Sequence, residues 1–262
     1  MVPVSRVERI TPRVQRITLS DVDIVRPSAD AYLKLFFPLP GQDAPALAPP
    51  VAADVVGWYR SYLAMPDGIR PPMRTYTIRA HRPELREVDV DFILHGAAGP
   101  GSRWASAARI GDRVAFLGPT GVHCVPDGTR WQLLAGDETA IPAIAAIIEG
   151  APAGSIIRAY VQADRSEWQR FSTAATVDLR WSQEDLLPRL RAASLPDGGY
   201  VFLAGESSLV RALRRHLVRD RGIPRAAITF TGYWRRGLSE EEVGRDGLRR
   251  IAAGLPPEHI DD

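Results

Sequence analysis

The sequence has one cysteine, one lysine and no long apolar run, and each scarcity excludes something. A lone Cys124 rules out an internal disulfide and any cysteine-rich zinc or iron–sulfur site, so electron chemistry would need a bound organic cofactor. Cys124 itself is expected to pack as a small hydrophobe. No stretch approaches the roughly 18 apolar residues of a membrane span. The start, Met1-Val-Pro-Val-Ser-Arg6, lacks the basic-then-apolar layout of an export signal. A cytoplasmic chain that makes no membrane contact is the expectation. With Lys34 the sole lysine, arginine carries nearly all the positive charge, and its planar fork suits carboxylate, phosphate or catecholate oxygens. Basic and aromatic residues form no common stripe, so nucleic acid is not an expected partner.

The chain is otherwise ordinary. Its 262 residues, 45% hydrophobic and 24% charged, suffice for two modest domains and argue against disorder along the whole length. The formal charge of +2 is unevenly spread. Residues 239–262 hold seven acids against three arginines, a net −4, which leaves +6 on the remainder.

Hydropathy patterning changes near residue 128. Before it, short runs rich in Val, Ile, Tyr and Phe (13–19, 31–38, 74–79, 87–95 and 112–117) are punctuated by Pro and Gly, the pattern of a sandwich or barrel. A Pro/Ala-rich loop over 38–50 and a short helix over 51–63 interrupt them. After residue 128, strands over 131–135, 156–161, 176–181, 200–204 and 228–234 alternate with helical runs over 138–149, 184–193 and 208–221. That alternation predicts βαβ units and a doubly wound parallel sheet. A last amphipathic helix is expected over 240–253. Ligands in such sheets sit at the carboxyl ends of the strands, and those ends can face a cofactor held by the barrel.

Two motifs carry chemistry. The first is Arg74-Thr75-Tyr76-Thr77-Ile78-Arg79, in which Arg74 and Tyr76 share one strand face and Thr75 and Thr77 the other. A flavin needs an aromatic beside its ring, a hydrogen-bond partner near N5 and a cation for its pyrophosphate, and this hexapeptide offers all three. Arg/Thr alternation on a half-exposed strand gives the same letters. The second runs from Asp91 through Ile93 and His95 to a glycine-rich turn, Gly96-Ala97-Ala98-Gly99-Pro100-Gly101, with Ser102 expected to cap a short helix to Ala108. Glycines let a backbone approach closely, and helix-start N–H groups attract phosphate; a plain Gly-Pro turn reads alike.

Together the two motifs resemble the siderophore-interacting protein family, within the ferredoxin–NADP reductase-like superfamily. Members carry R-x-Y-T-x-R, then H-G-x-x-G-P-A-S-R-W-A, then a strand ending in A-G-D-E-T-A-L-P-A. This chain departs from them at Gly101 and Ile141, and its stretches 204–206 and 232–237 also look like the family, so the likeness spans roughly residues 5–237. The resemblance implies an N-terminal antiparallel FAD-binding β-barrel (1–128), a doubly wound α/β NAD(P)H-binding domain (129–237) and an acidic, helical C-terminal extension (238–262). It implies FAD contacts from Arg74 on phosphate, Tyr76 against the isoalloxazine and Thr77. Asp91, Ile93, His95, Gly99, Gly101 and Ser102 would hold the ribityl, pyrophosphate and adenylate portions. Asp137, Glu138 and Thr139 stand where related reductases have a glycine-rich nicotinamide loop. Two acids at a helix start repel a pyrophosphate, so they would bind ribose hydroxyls or only cap the helix. Gly205 and Glu206 would flank the nicotinamide, and Tyr233 and Trp234 would shield the flavin or pack in the core.

The activity so implied is ferric-siderophore reduction: hydride passes from NAD(P)H to FAD, and single electrons then pass to Fe³⁺. The cofactor supplies the chemistry, so no catalytic acid, base or metal site is named. Reduction to Fe²⁺ weakens binding by hard oxygen ligands. An anionic chelate wants cations, for which Arg60, Arg235 and Arg236 are the candidates. At Asp164-Arg165 an acid suits free ribose hydroxyls and a cation suits a 2′-phosphate; NADH is the favoured donor, with NADPH and ferredoxin as the others. A monomer is expected. Two rivals stay open, a general flavin or ferredoxin reductase with another acceptor and a ferric-siderophore binding protein with little turnover.

Overall fold

The computed structural model describes residues 1–49, 54–94 and 99–255. The first half is a closed antiparallel barrel of β1 (Val2–Thr11), β2 (Val14–Leu19), β3 (Tyr32–Phe36), β4 (Met73–Arg82), β5 (Glu87–Ile93) and β6 (Arg113–Thr120), in the order β1-β2-β5-β4-β3-β6. Helix α1 (Val55–Ala64) and helix α2 (Pro100–Ala107) lie outside the strands. Ile17, Leu19, Leu33, Leu35, Ile78, Val88, Val90 and Phe92 fill the barrel, as inward positions of alternating strands do. On the outer face the alternation places charge: Arg16 stands opposite Asp91 and Thr18 opposite Asp89. Cross-strand partners of this kind stabilise register.

The second half is a five-stranded parallel sheet, order β11-β10-β7-β8-β9. Its strands are β7 (Trp131–Asp137), β8 (Ile156–Gln162), β9 (Thr176–Ser182), β10 (Gly199–Glu206) and β11 (Ile228–Trp234). Helices α3 (Ile141–Gly150), α4 (Leu186–Ala192) and α5 (Ser207–Arg219) connect them, and α6 (Glu240–Ala252) follows the last strand. Every residue of α3 from Ile141 to Ile148 is buried, because this helix packs on β4 of the barrel as well as on its own sheet. An apolar surface all round is what a helix in that position requires.

Several expectations change. The first strand, β1, was not foreseen, since its residues Arg6, Glu8 and Arg9 break the apolar alternation. Ser102 does not cap α2; Gly99 is the N-cap, because Pro100 has its φ fixed for the first helical position and starts the helix earlier. The run over 138–149 is a 3₁₀ turn, Glu138–Ala140, followed by α3. Helix α1 is capped by Asp54, which accepts from the Gly57 N–H; residues 51–53 of the expected helix lie outside the described residues. Cys124 is exposed rather than packed, because it lies in the connection between barrel and sheet and not on a core strand.

That connection is clamped. Asp30, fully buried, accepts from the Val122 N–H (3.1 Å) and the His123 N–H (3.0 Å). The His123 ring meets Gln132 at 3.1 Å, and the Tyr200 hydroxyl accepts from the Cys124 N–H at 3.3 Å. Barrel and sheet are joined directly too. Arg79 of β4 makes a two-pronged pair with Glu149 of α3 (2.6 and 2.8 Å), and Thr11 bonds to buried Glu167.

Close packing of strand ends leaves no room at Gly136, where an added carbon would press into the Ala204 carbonyl and the Ala140 side chain. Gly136→Ala is expected to cost about 1–3 kcal/mol, the usual penalty of overpacking, read as a lower urea midpoint; Gly150→Ala, where nothing lies near, serves as the comparison.

Candidate functional site

Strand β4 changes partner halfway along its length. Residues Ile78 to Arg82 pair with β5, whereas Met73 to Thr77 pair with β3 alone. The first half therefore presents an open edge, the same stretch that carries Arg74, Tyr76 and Thr77. Tyr76 leans on the barrel aromatics, with its ring 4.2 Å from Phe92 and 6.3 Å from Phe37. Burial pushes its phenol well above the usual tyrosine range. Gly101 lies directly against the Tyr76 hydroxyl, where a side-chain carbon would have to push the ring aside. Thr77 is buried and faces Tyr233 from the end of β11; burial pushes the Tyr233 phenol well above its ordinary value, although the nearby Thr77 hydroxyl opposes the shift. Arg74 pairs with Glu241.

Beside this strand, α2 begins at Gly99, whose missing side chain cannot cap it. Gly101 and Ser102 are buried in its first turn, and Ile93 ends β5 half-buried. Asp91 is committed to a two-pronged pair with Arg16 (2.7 and 2.8 Å) and is almost wholly buried. His95 lies outside the described residues.

At the carboxyl ends of the parallel strands the organising group is Asp137. One carboxylate oxygen accepts from the N–H (2.9 Å) and hydroxyl (2.5 Å) of Thr139. The other accepts from the Glu206 N–H (2.7 Å) and the Trp234 indole N–H (3.0 Å). Four donors from three chain segments thus satisfy a buried charge, as burial requires. Gly205 makes this possible: its φ of +129° suits glycine, and a side chain there would strike the Asp137 carboxylate. Glu206 caps α5 through the Ser208 and Leu209 N–H groups. Burial alone would raise its carboxyl, but hydrogen bonds from Ser208, Leu209 and Arg236 outweigh that and hold it below the usual range. Glu138 differs: burial first, and then the Asp137 charge, raise its carboxyl despite Arg13 at 3.5 Å.

The 3₁₀ turn after β7 and the start of α5 after β10 are thus capped by the chain's own carboxylates. Tyr233 faces Thr77 of the barrel, while Trp234 is two-fifths exposed at the end of β11. Arg235 and Arg236 follow directly, with Arg236 exposed; Arg60 stands exposed on α1 at the barrel flank, on a different element. Arg13, from the β1–β2 turn, pairs with Asp164 at 2.7 Å, while Arg165 lies over the Trp168 ring. Sequence reasoning missed Lys34, Glu240 and Glu241 at the open edge of β4. The Ser239-x-x-Glu242 capping box was a legible sign of the helix that brings the two acids there.

The donor set fits a flavin dinucleotide. An open strand edge, a cation and a side-chain-free helix start suit phosphate oxygens, and the partly buried Tyr76 ring lies beside them. Among the described residues no cluster of metal-ligating side chains occurs, and no helix is long and apolar enough to cross a membrane.

A flavin-type barrel joined to a nucleotide-type parallel sheet is the architecture of the ferredoxin reductase-like proteins, and the ferredoxin reductase of carbazole 1,9a-dioxygenase shares this fold at a TM-score of 0.60. The siderophore-interacting FAD-binding domain profile matches residues 3–123, and the siderophore-interacting protein profile matches residues 129–237. The chain belongs to the siderophore-interacting protein family. It is similar to the ferric vibriobactin reductase ViuB of Vibrio cholerae, 30% identical over 251 residues, covering 90% of this chain and 89% of that protein. It is also similar to the siderophore-interacting protein SipS of Aeromonas hydrophila, whose crystal structure aligns at a TM-score of 0.73 with 32% identity, covering 96% and 97% of the two chains. The NADPH-dependent ferric-chelate reductase of Escherichia coli is 30% identical, over 88% of this chain and 91% of its own.

The Glu206 cap yields a pH test. With a depressed folded value, its contribution is full above the ordinary carboxylate value of 4.5 and is lost as pH falls through the folded value. Glu206→Ala is expected to lose about 1 kcal/mol at pH 7, and the difference in Tm from the parent should shrink as pH drops below 4.5.

Proposed function

We propose that the protein reduces ferric siderophores through bound FAD, with NADH as the electron donor. The observation that carries this is the two-pronged Arg79–Glu149 pair, which joins the flavin-type strand of the barrel to the first helix of the nucleotide-type sheet. When bound, FAD accepts a hydride as an electron pair and releases electrons singly to Fe³⁺. In this reading Tyr76 gives the ring its aromatic neighbour, Thr77 offers a hydroxyl, and Arg74 with the start of α2 takes phosphate charge. Asp91 acts through Arg16, keeping β2 and β5 in register beneath the site. Trp234, held by Asp137 at the end of β11, limits water there. Arg235, Arg236 and Arg60 offer the positive charge an anionic chelate needs.

The donor assignment rests on Asp164 at the end of β8, half-exposed beside Arg13, where an acid suits the free hydroxyls of a ribose. The names of the relatives in V. cholerae and E. coli support the reductase reading. A carrier with little turnover is the rival that one observation favours, because Asp137 and Glu206 place a carboxylate at each strand end that would otherwise receive the pyrophosphate of a donor.

Anaerobic stopped-flow separates the two. NADH should bleach the flavin faster than NADPH or reduced ferredoxin, and a ferric siderophore should restore the yellow colour. Reoxidation by ferredoxin or quinone but by no ferric chelate would overturn the assignment of the acceptor. We further expect Tyr76→Ala to lower FAD retention after gel filtration more than Tyr233→Ala does; equal flavin-to-protein ratios would contradict the ring contact.

A further inference from the structure

The donors along the open edge of β4 already hold anions, and those anions belong to the chain itself. Glu240 accepts from the Thr75 N–H (2.8 Å) and hydroxyl (2.5 Å) and pairs with Lys34 at 2.9 Å. Glu241, buried, accepts from the Met73 N–H (3.1 Å) and from Arg74 through both of its oxygens (2.8 and 2.7 Å). The sole lysine of the chain and the arginine of the flavin motif are therefore both neutralised by the first turn of α6. Two backbone N–H groups that a sheet neighbour would otherwise take are satisfied there as well.

The rest of α6 is held less firmly. Glu241 is its one buried residue, and Val243 and Ile251 are exposed. Leu248 is the apolar anchor, packed on the cluster of Phe36, Tyr62, Leu63 and Met73. Arg245 adds contacts to the Leu63 carbonyl and Asp67. Gly244 and Gly247 each lower helix stability by about 1 kcal/mol relative to alanine. An element fastened mainly by two carboxylates can be displaced by a ligand that offers the same donors a stronger anion.

We propose that α6 is an internal stand-in for the phosphate oxygens of the flavin dinucleotide, so that α6 docking and FAD loading compete for the edge of β4. The inference rests on the FAD reading given above. In the flavin-free chain the helix keeps Arg74 and Lys34 paired and covers an edge that would otherwise recruit a foreign strand. On loading, the pyrophosphate takes Arg74 and the edge N–H groups, and Glu240 and Glu241 leave for water with the first turn of α6.

The test uses flavin-free full-length protein, titrated with FAD by flavin fluorescence, together with hydrogen exchange of residues 240–252 with and without FAD. Glu240→Gln/Glu241→Gln should bind FAD about tenfold more tightly than the parent, within the usual size of a coupling between two competing contacts. Leu248→Ala, which loosens the helix without touching a carboxylate, should shift the Kd in the same direction. FAD should lower the protection of residues 240–252. If that protection is unchanged or rises, or if both variants bind FAD no better than the parent, α6 is a fixed wall and the proposal fails while the FAD reading stands. If parent and variants alike take up no FAD, the FAD reading falls and the competition with it.

Discussion

The arrangement of the site depends on one buried carboxylate. Asp137 collects donors from its own strand end, from the end of β10 and from the indole that ends β11. A buried charge left short of partners costs several kcal/mol, so the three segments converge because the charge obliges them to. Their convergence fixes Trp234 at the end of β11 and sets the direction of Tyr233, its neighbour in sequence, toward Thr77. That one approach of the sheet to the barrel is thus a downstream result of satisfying one side chain, beside the separate Arg79–Glu149 and Thr11–Glu167 contacts.

Nucleotide-binding sheets commonly leave helix starts free for phosphate. This chain turns Asp137 onto the 3₁₀ turn after β7 and Glu206 onto the start of α5, placing a carboxylate at each strand end where a phosphate would otherwise sit. Anion affinity is moved onto side chains and onto an unpaired strand edge in the barrel instead. The abundance of arginine matches that shift, because a guanidinium can offer through a side chain what a helix start offers through its backbone.

Much of this was legible in the residues. The change from short Val/Ile/Tyr/Phe-rich runs to alternating strands and helices marked the barrel and the parallel sheet, and the Arg74–Arg79 motif marked a strand of the barrel. What escaped had physical reasons. Strand β1 buries Val2 and Val4 in the barrel core but carries Arg6, Glu8 and Arg9 after them, so only its pairing with β2 and β6 reveals the full strand. The cap at Gly99 rather than Ser102 followed from the proline between them. The roles of Asp91 and Asp137 are set by partners distant in sequence, Arg16 and Trp234, which no local pattern announces. Placement of Glu240 and Glu241 against β4 required knowing that the first half of that strand has a free edge.

The Asp30 clamp has a mechanical consequence. By taking the N–H groups of Val122 and His123, a carboxylate buried in the barrel pins the barrel end of the one covalent crossing between the two sheets. That end of the crossing is held where a two-part enzyme would usually place a hinge. Reactants would then have to enter past side chains and helices that move, through a frame whose own span stays constant, and electron transfer across it would proceed over a distance set once, at folding.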